Sequence, residues 1–275
     1  MKKQATAKNI LLFIFLSIGA LTMIFPFFWM LVSATKTWAE CNSTPPTLFP
    51  ANPTLMNFVY AFKTAPFLQY FRNSLIVTLA CVSLTMFNTI LAAYGFSRLK
   101  FPGRDLLFSL LVSMMMIPFE MLIITNYSTV VKLGLYDTLI ALIIPFTSSI
   151  FYTYILRNFF LSIPDSLYYS ARVDGASDWQ YLWQVMVPIA RPSLVTIGLL
   201  NAITCWNSFL WSVLVINTTA NRTLPFGLVA FTSEAGIRYE RLMAGASIVV
   251  VPMILLFLFC RKSIVTGVSK GGLKG

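Results

Sequence analysis

The sequence predicts an all-α integral membrane protein with six transmembrane helices, both termini on the inner side, and one patterned inner segment between the fourth and fifth helices. Three observations predict it. Of 275 residues, 57% are hydrophobic and 11% charged, less than half the roughly 25% charge of a water-soluble domain. Six stretches, about 10–32, 73–96, 106–125, 138–157, 193–216 and 242–260, come close to the ~20 apolar residues that a helix needs to cross hydrocarbon. Thirteen of the 20 Lys and Arg fall on the side that holds the N-terminus, and excess positive charge marks the cytoplasmic side. Barrel strands do not fit, because they run about ten residues with alternating polarity.

Composition narrows the chemistry further. The net charge of +11 reports orientation in a polytopic chain rather than nucleic-acid binding. There is no His, which removes the commonest metal ligand and the commonest general base. Cys41, Cys81, Cys205 and Cys260 never occur at the short spacing of a zinc site, and three of them sit in apolar runs. They are expected to be small core residues, with no metal bound.

Taken in order, residues 1–9 resemble the charged start of a signal peptide. The apolar run Ile10–Val32 is longer than the 7–15 residues of such a peptide, so it is expected to be a retained first span kinked at Pro26. Residues 34–72 interleave Pro45, Pro46, Pro50, Pro53 and Pro66 with Trp38, Tyr60, Phe67, Tyr70 and Phe71. This is either a structured outer surface or a set of aromatics settling at the membrane boundary. The third span carries Glu120 two residues after Pro118. A carboxylate there is either a gate or hydroxyl acceptor in a wet path, or an acid reaching for the outer interface.

The inner segment 158–191 is patterned unlike a linker. Pro164-Asp165 suits a first helical turn, and Asp165–Val173 is predicted as a short helix broken by Asp174-Gly175. Ser177 and Gln180 form a capping box for a second helix, which is expected to stop at Pro188, with Pro192 opening the next span. Leu167, Ser170, Ala171 and Asp174 share one stripe of the first helix, and its small residues allow close approach of a partner. An amphipathic interfacial helix is the other reading, but the first helix has two acids and little aliphatic bulk.

In the fifth span, a helical wheel gathers Asn201, Thr204, Cys205, Asn207, Ser208, Trp211 and Ser212 on one arc. Such an arc faces either a water-filled path, where amides and hydroxyls could meet sugar hydroxyls and Trp211 could stack, or neighbouring helices as hydrogen-bonding glue.

Residues 164–188, PDSLYYSARVDGASDWQYLWQVMVP, resemble the signature cytoplasmic loop of ABC-importer permeases: Glu-Ala-Ala, three residues, Gly, nine residues, Ile-x-Leu-Pro. Tyr169-Ser170-Ala171 stands at the first element, Gly175 at the glycine and Val185 to Pro188 at the end. The stretches Asn73 to Thr78, Ala93 to Arg98, Phe101 to Arg104, Trp206 to Trp211 and Lys270 to Gly275 are similar to the second permease subunit of maltose-type carbohydrate importers. The resemblance implies a type I ABC-importer permease, one transmembrane domain over 1–275 with a coupling loop at 158–191. It implies ATPase coupling through Leu167, Tyr169, Ser170, Ala171, Asp174, Gly175, Ala176, Val185 and Pro188. The expected substrate path holds Glu120, Asn201, Thr204, Asn207, Ser208, Trp211 and Ser212.

No Walker pattern is present. ATP and Mg are therefore expected on a separate subunit, and the resemblance implies two ATPase subunits, a homologous permease subunit and an extracytoplasmic substrate-binding protein, with no cofactor in this chain and no enzymatic activity of its own. The expected cargo is a carbohydrate, with a polyol or glycerol phosphate as the alternative. The missing arginine in the fifth-span arc disfavours phosphate. An ion-coupled transporter would want intramembrane ionisable pairs in repeated halves, and a membrane enzyme would want a catalytic cluster; neither is visible. Tyr169 replaces the motif's glutamate, so a salt bridge expected with the ATPase is replaced by a hydrogen bond or stacking contact.

Overall fold

In a computed structural model, residues 2–233 and 236–272 are described, with side chains over 8–231 and 237–259. The helices are α1 (Lys2–Ala34), α2 (Trp38–Cys41), α3 (Met56–Thr64), α4 (Phe67–Ser97), α5 (Arg104–Met114), α6 (Ile123–Lys132), α7 (Leu139–Ile143) and α8 (Ile150–Leu161). They continue with α9 (Asp165–Val173), α10 (Asp178–Tyr181), α11 (Val187–Ile189), α12 (Arg191–Trp206), α13 (Leu210–Val215) and α14 (Tyr239–Gly272). Strands among the described residues are limited to an antiparallel ribbon, Thr232–Ser233 with Gly236–Ile237. The protein is thus all-helical in architecture.

Three helices are each long and apolar enough to cross a bilayer: Lys8–Ala34, Phe67–Ser97 and Tyr239–Phe259. They match the first, second and sixth apolar stretches, and Pro26 does not interrupt α1. The third and fourth stretches are not continuous helices. Arg104–Met114 and Phe119–Lys132 meet at 86°, and Leu139–Phe146 meets Ile150–Leu161 at 43°. Pro118 explains the first break, because it lacks an N–H and drives Ile117 out of helical geometry. At the second break, Pro145 lies in the tight turn Ile144–Phe146, and Ser149 caps the new helix by accepting from the Tyr152 N–H at 3.3 Å. Counting each bent pair as one crossing gives up to six.

The expected stop at Pro188 is also corrected. The second elbow helix passes through a π turn, Leu182–Met186, and continues to Ile189 before bending 79° into α12. Proline at 188 cannot donate to the Gln184 carbonyl four residues back, and the widened turn absorbs that deficit.

The chain divides into two compact units. In the first, up to Phe67 and over Gly227–Pro252, Thr37 and Glu40 form a capping box. The Asn57 amide donates to the carbonyls of Ala34 and Lys36 at 2.9 and 2.7 Å. Buried Lys36 donates to the Thr47 carbonyl and lies 4.3 Å from the Trp29 ring centre. Gly245 is required there, since a Cβ would sit 2.8 Å from the Phe231 ring.

The second unit, Leu68–Phe226 with the segment from Met253, holds the two elements that concern function. One core joins α4, α8, the elbow and α12 through Tyr94, Leu156, Phe160, Tyr181, Met186 and Ile197. Another, around Cys81, Leu142, Trp211 and Phe226, sits beside the breaks.

Candidate functional site

The elbow forms from local signals. α9 spans Asp165–Val173 with Pro164 before it and Asp165 in its first turn, where negative charge suits the helix dipole. It ends in a Schellman motif: Gly175 at φ 80° donates to the Arg172 carbonyl (3.1 Å), and the Ala176 N–H donates to the Ala171 carbonyl (2.9 Å). Glycine is needed because that φ strains any residue with a Cβ. The predicted capping box is present, Ser177 accepting from the Gln180 N–H at 3.2 Å while the Gln180 carbonyl oxygen accepts from the Ser177 N–H at 2.8 Å.

The nine expected coupling residues separate into two groups. Leu167, Tyr169, Ser170, Asp174, Gly175 and Pro188 are exposed, whereas Ala171, Ala176 and Val185 are half-buried, and Ala171 and Val185 pack on the elbow core. Sequence reasoning missed Val173, 88% exposed, and Trp179, 58% exposed. A bare valine and tryptophan in a polar loop were the available signal. It also missed Asp178, whose carboxylate accepts from the Tyr168 hydroxyl (3.0 Å) and the Tyr94 hydroxyl (3.3 Å). That carboxylate, by taking the Tyr168 proton donor as partner, pushes the Tyr168 hydroxyl above its usual pKa.

The fifth stretch is the principal correction. α12 ends at Trp206, residues 207–209 are non-helical, and α13 starts at Leu210, so one continuous wheel does not describe Asn201 to Ser212. Ala202 and Trp206, which lie outside the arc, are buried, while Thr204 and Asn207 within it are exposed. The Ser212 hydroxyl is spent locally, donating to the Ser208 carbonyl at 2.6 Å. Trp211 is no open stacking plate: it is 2% exposed, its indole N–H donates to the Ala141 carbonyl (3.0 Å), and Phe119 and Phe146 meet it edge-on. Buried Asn201 accepts from the Cys205 thiol at 3.4 Å, and its Nδ2 has no partner among the described residues.

The break nonetheless assembles a site. A cleft of about 420 Å³ is lined by Glu120, Thr204, Asn207, Ser208 and Trp211, all expected, together with Phe119, Ile123, Phe146, Cys205, Phe209 and Leu210. Asn201 and Ser212 fall outside its lining. The volume lies within the roughly 300–1,000 Å³ of small-molecule sites. Glu120 is exposed, in the turn Phe119–Leu122 just past the Pro118 break rather than inside a continuous helix. The cleft thus offers one carboxylate, an amide and hydroxyls against apolar walls, a donor and acceptor set suited to a hydroxylated solute. No Lys or Arg lines it.

On the side away from the elbow, Asp137 holds the segment after α13. Its carboxylate accepts from the N–H groups of Asn217 and Thr218 at 2.9 and 3.0 Å. Partial burial opposes ionisation there, but those hydrogen bonds prevail and keep its pKa below the usual carboxylate value. Among the described residues no group of three or more His, Cys, Asp or Glu could hold a metal.

The sequence pattern of binding-protein-dependent transport system inner membrane components matches residues 86–270. The chain belongs to that family. It is a membrane-embedded transport component, and its elbow and cleft both lie within the matched region. The chain is 30% identical over 259 residues to the arabinooligosaccharides transport system permease protein AraQ of Halalkalibacterium halodurans, covering 93% of each chain. It is 34% identical over 265 residues to the sulfoquinovosyl glycerol transport system permease protein SmoH of Agrobacterium fabrum, covering 96% of this chain and 93% of that one. The fold is similar to that of a chain from a bacterial ABC transporter involved in import of the acidic polysaccharide alginate, with a TM-score of 0.82, 23% identity, and 94% and 96% coverage.

Proposed function

We propose that this chain is the membrane-spanning subunit of an ATP-driven importer for a neutral sugar or oligosaccharide, built as one permease domain over 1–275 with six crossings and both termini in the cytoplasm. The elbow at 158–191 docks a separate ATPase subunit, and the Glu120 cleft forms part of the path. The observation that carries this reading is the exposed face of the elbow, Leu167, Tyr169, Ser170, Val173 and Trp179, presented by a Schellman turn and a capping box within the family-matched region. A solvent-exposed face of that composition gains by being covered.

The expected assembly contains a homologous permease subunit, two ATPase subunits that bind ATP and Mg, and an extracytoplasmic binding protein, in the cytoplasmic membrane. The cleft's lack of cationic lining favours neutral hydroxylated cargo over glycerol phosphate, and Glu120 supplies an acceptor for its hydroxyls. A polyol fits the same donors and acceptors. Two experiments test this. A thiol introduced by Trp179→Cys should react with a membrane-impermeant maleimide only from the cytoplasmic side, measured in excess of the chain without that substitution, whose Cys41 is itself a partly exposed thiol. In vesicles holding the complete complex, uptake of labelled arabinooligosaccharides, maltooligosaccharides and polyols should require ATP inside and stop with vanadate. ATP-independent uptake by this chain alone, or labelling from outside, would overturn the reading.

A further inference from the structure

We propose that α4 is the rod that carries the elbow's displacement to the cleft, with Asp178, Tyr94 and Arg98 as positioning residues at its elbow end and Thr85 and Asn88 nearer its middle. This rests on the docking reading above.

At the elbow end, one carboxylate binds three elements together. Asp178 on α10 accepts from Tyr168 on α9 and from Tyr94 on α4. One turn on, Arg98 pairs with Asp165 and donates to the carbonyls of Phe160 (2.8 Å), in the last turn of α8, and Ile163 (2.6 Å), just past it. Arg157 on α8 answers from the opposite direction, donating to the Phe96 carbonyl at 3.0 Å. The elbow therefore cannot shift without straining several hydrogen bonds to the end of α4.

Nearer its middle, α4 seats on the break between α7 and α8. Thr85 donates to the Phe146 carbonyl at 2.6 Å and Asn88 to the Thr147 carbonyl at 2.8 Å, the acceptors which the 43° bend takes out of the helical ladder. The Phe146 ring then walls the cleft, 5.1 Å from Phe119 and 6.5 Å from Trp211. Tyr94 and Thr85 are about 14 Å apart along the axis at 1.5 Å per residue.

Stiffness decides between this route and the covalent one. From the elbow the chain leads directly into α12, but that path bends 79° at its start and breaks again at 207–209 before Trp211. Each break is a place where displacement can be absorbed. α4 is a single helix of 31 residues with no proline inside, so it delivers at Phe146 what it receives at Tyr94.

The experiment uses the complete complex in proteoliposomes, with a reporter thiol from Leu210→Cys at the cleft and N-ethylmaleimide as probe; labelling is measured in excess of the chain lacking that thiol. In the otherwise unsubstituted chain, ATP with vanadate should change the labelling rate. Tyr94→Phe with Tyr168→Phe, and separately Thr85→Val, should remove most of that change, while ATPase co-purification and basal ATP hydrolysis persist. Thr85→Ser, which keeps the hydroxyl, should restore it. Combining the two lesions should do no more than either alone, because both cut one path. A full nucleotide-dependent change in both lesioned chains overturns the proposal even though the ATPase docks. Absence of any change in the unsubstituted complex, or failure of the ATPase to co-purify, overturns the docking reading and this proposal with it.

Discussion

The elbow and the fifth apolar stretch adjoin in the chain, yet they break for different reasons. Between Asp165 and Ile189 the turns are written in local chemistry: Pro164 before α9, Gly175 in left-handed backbone, Ser177 and Gln180 capping α10. Between Arg191 and Val215 the helix stops at Trp206 and restarts at Leu210 without glycine or proline in the gap. What holds that second break is distant. Trp211 hydrogen-bonds to Ala141, seventy residues away, and packs against Phe119 and Phe146. The elbow is thus encoded in two dozen consecutive residues, while the cleft is assembled from three separate segments.

The sharpest way to break that contrast is to remove the distant anchor. Trp211→Ala deletes a fully buried ring together with its hydrogen bond to Ala141, and large-to-small changes of this kind cost about 3–5 kcal/mol. The unfolding midpoint of the purified chain in detergent should fall sharply, and residues around Leu210 should become open to proteolysis while the elbow stays protected. Equal protection of both regions would mean that the cleft break is locally encoded after all.

Next in size is the effect on transport. Glu120 lines the cleft and has no hydrogen-bond or ion-pair partner among the described residues, so Glu120→Gln should leave folding intact. It should lower uptake at least about tenfold, equivalent to ~1.4 kcal/mol, read as initial rates in vesicles. Unchanged kinetics would remove the carboxylate from the path.

The elbow responds to smaller, purely local changes. At Gly175 a Cβ would meet nothing within 4 Å, so Gly175→Ala isolates the backbone term, about 1–2 kcal/mol for the left-handed conformation. Ser177→Ala removes the capping oxygen at about 1 kcal/mol. Both should weaken ATPase co-purification without lowering the unfolding midpoint as far as Trp211→Ala does. If either behaves like the tryptophan variant, the elbow is not a locally specified unit.

These contrasts explain what could be read in advance. Long apolar runs announced α1, α4 and the apolar part of α14, since a helix satisfies its own backbone in lipid and the runs are too long for barrel strands. The caps and the glycine announced α9 and α10. Pro118 marked a break, but its 86° bend follows from packing, and the break at 147–149 depends on Thr85 and Asn88 some sixty residues earlier. A helical wheel assumes an unbroken helix, so it paired Ser212 with Asn201 while overlooking Phe146 and Leu210. Nor does the string Ser-Asp-Trp-Gln disclose that Asp178 will receive two tyrosine hydroxyls from different helices.

The smallest effect concerns recognition rather than folding. Tyr169 stands where the family resemblance places a glutamate, and its side chain is 62% exposed, touching Tyr168 edge-on at 5.9 Å. Tyr169→Glu therefore removes little packing and leaves the Schellman turn untouched. An exposed ion pair with the ATPase is worth about 1 kcal/mol or less, so the sign of the change is informative where its size is not. If the native ATPase surface is matched to a phenol, the glutamate should weaken co-purification slightly with that partner and strengthen it with ATPase subunits from relatives whose elbows carry the acid. Specificity would then reside in one exposed side chain on an otherwise interchangeable helix. Equal co-purification of both chains with both kinds of ATPase would show that position 169 carries no partner selection, leaving Leu167, Val173 and Trp179 as the exposed apolar groups on which selection could rest.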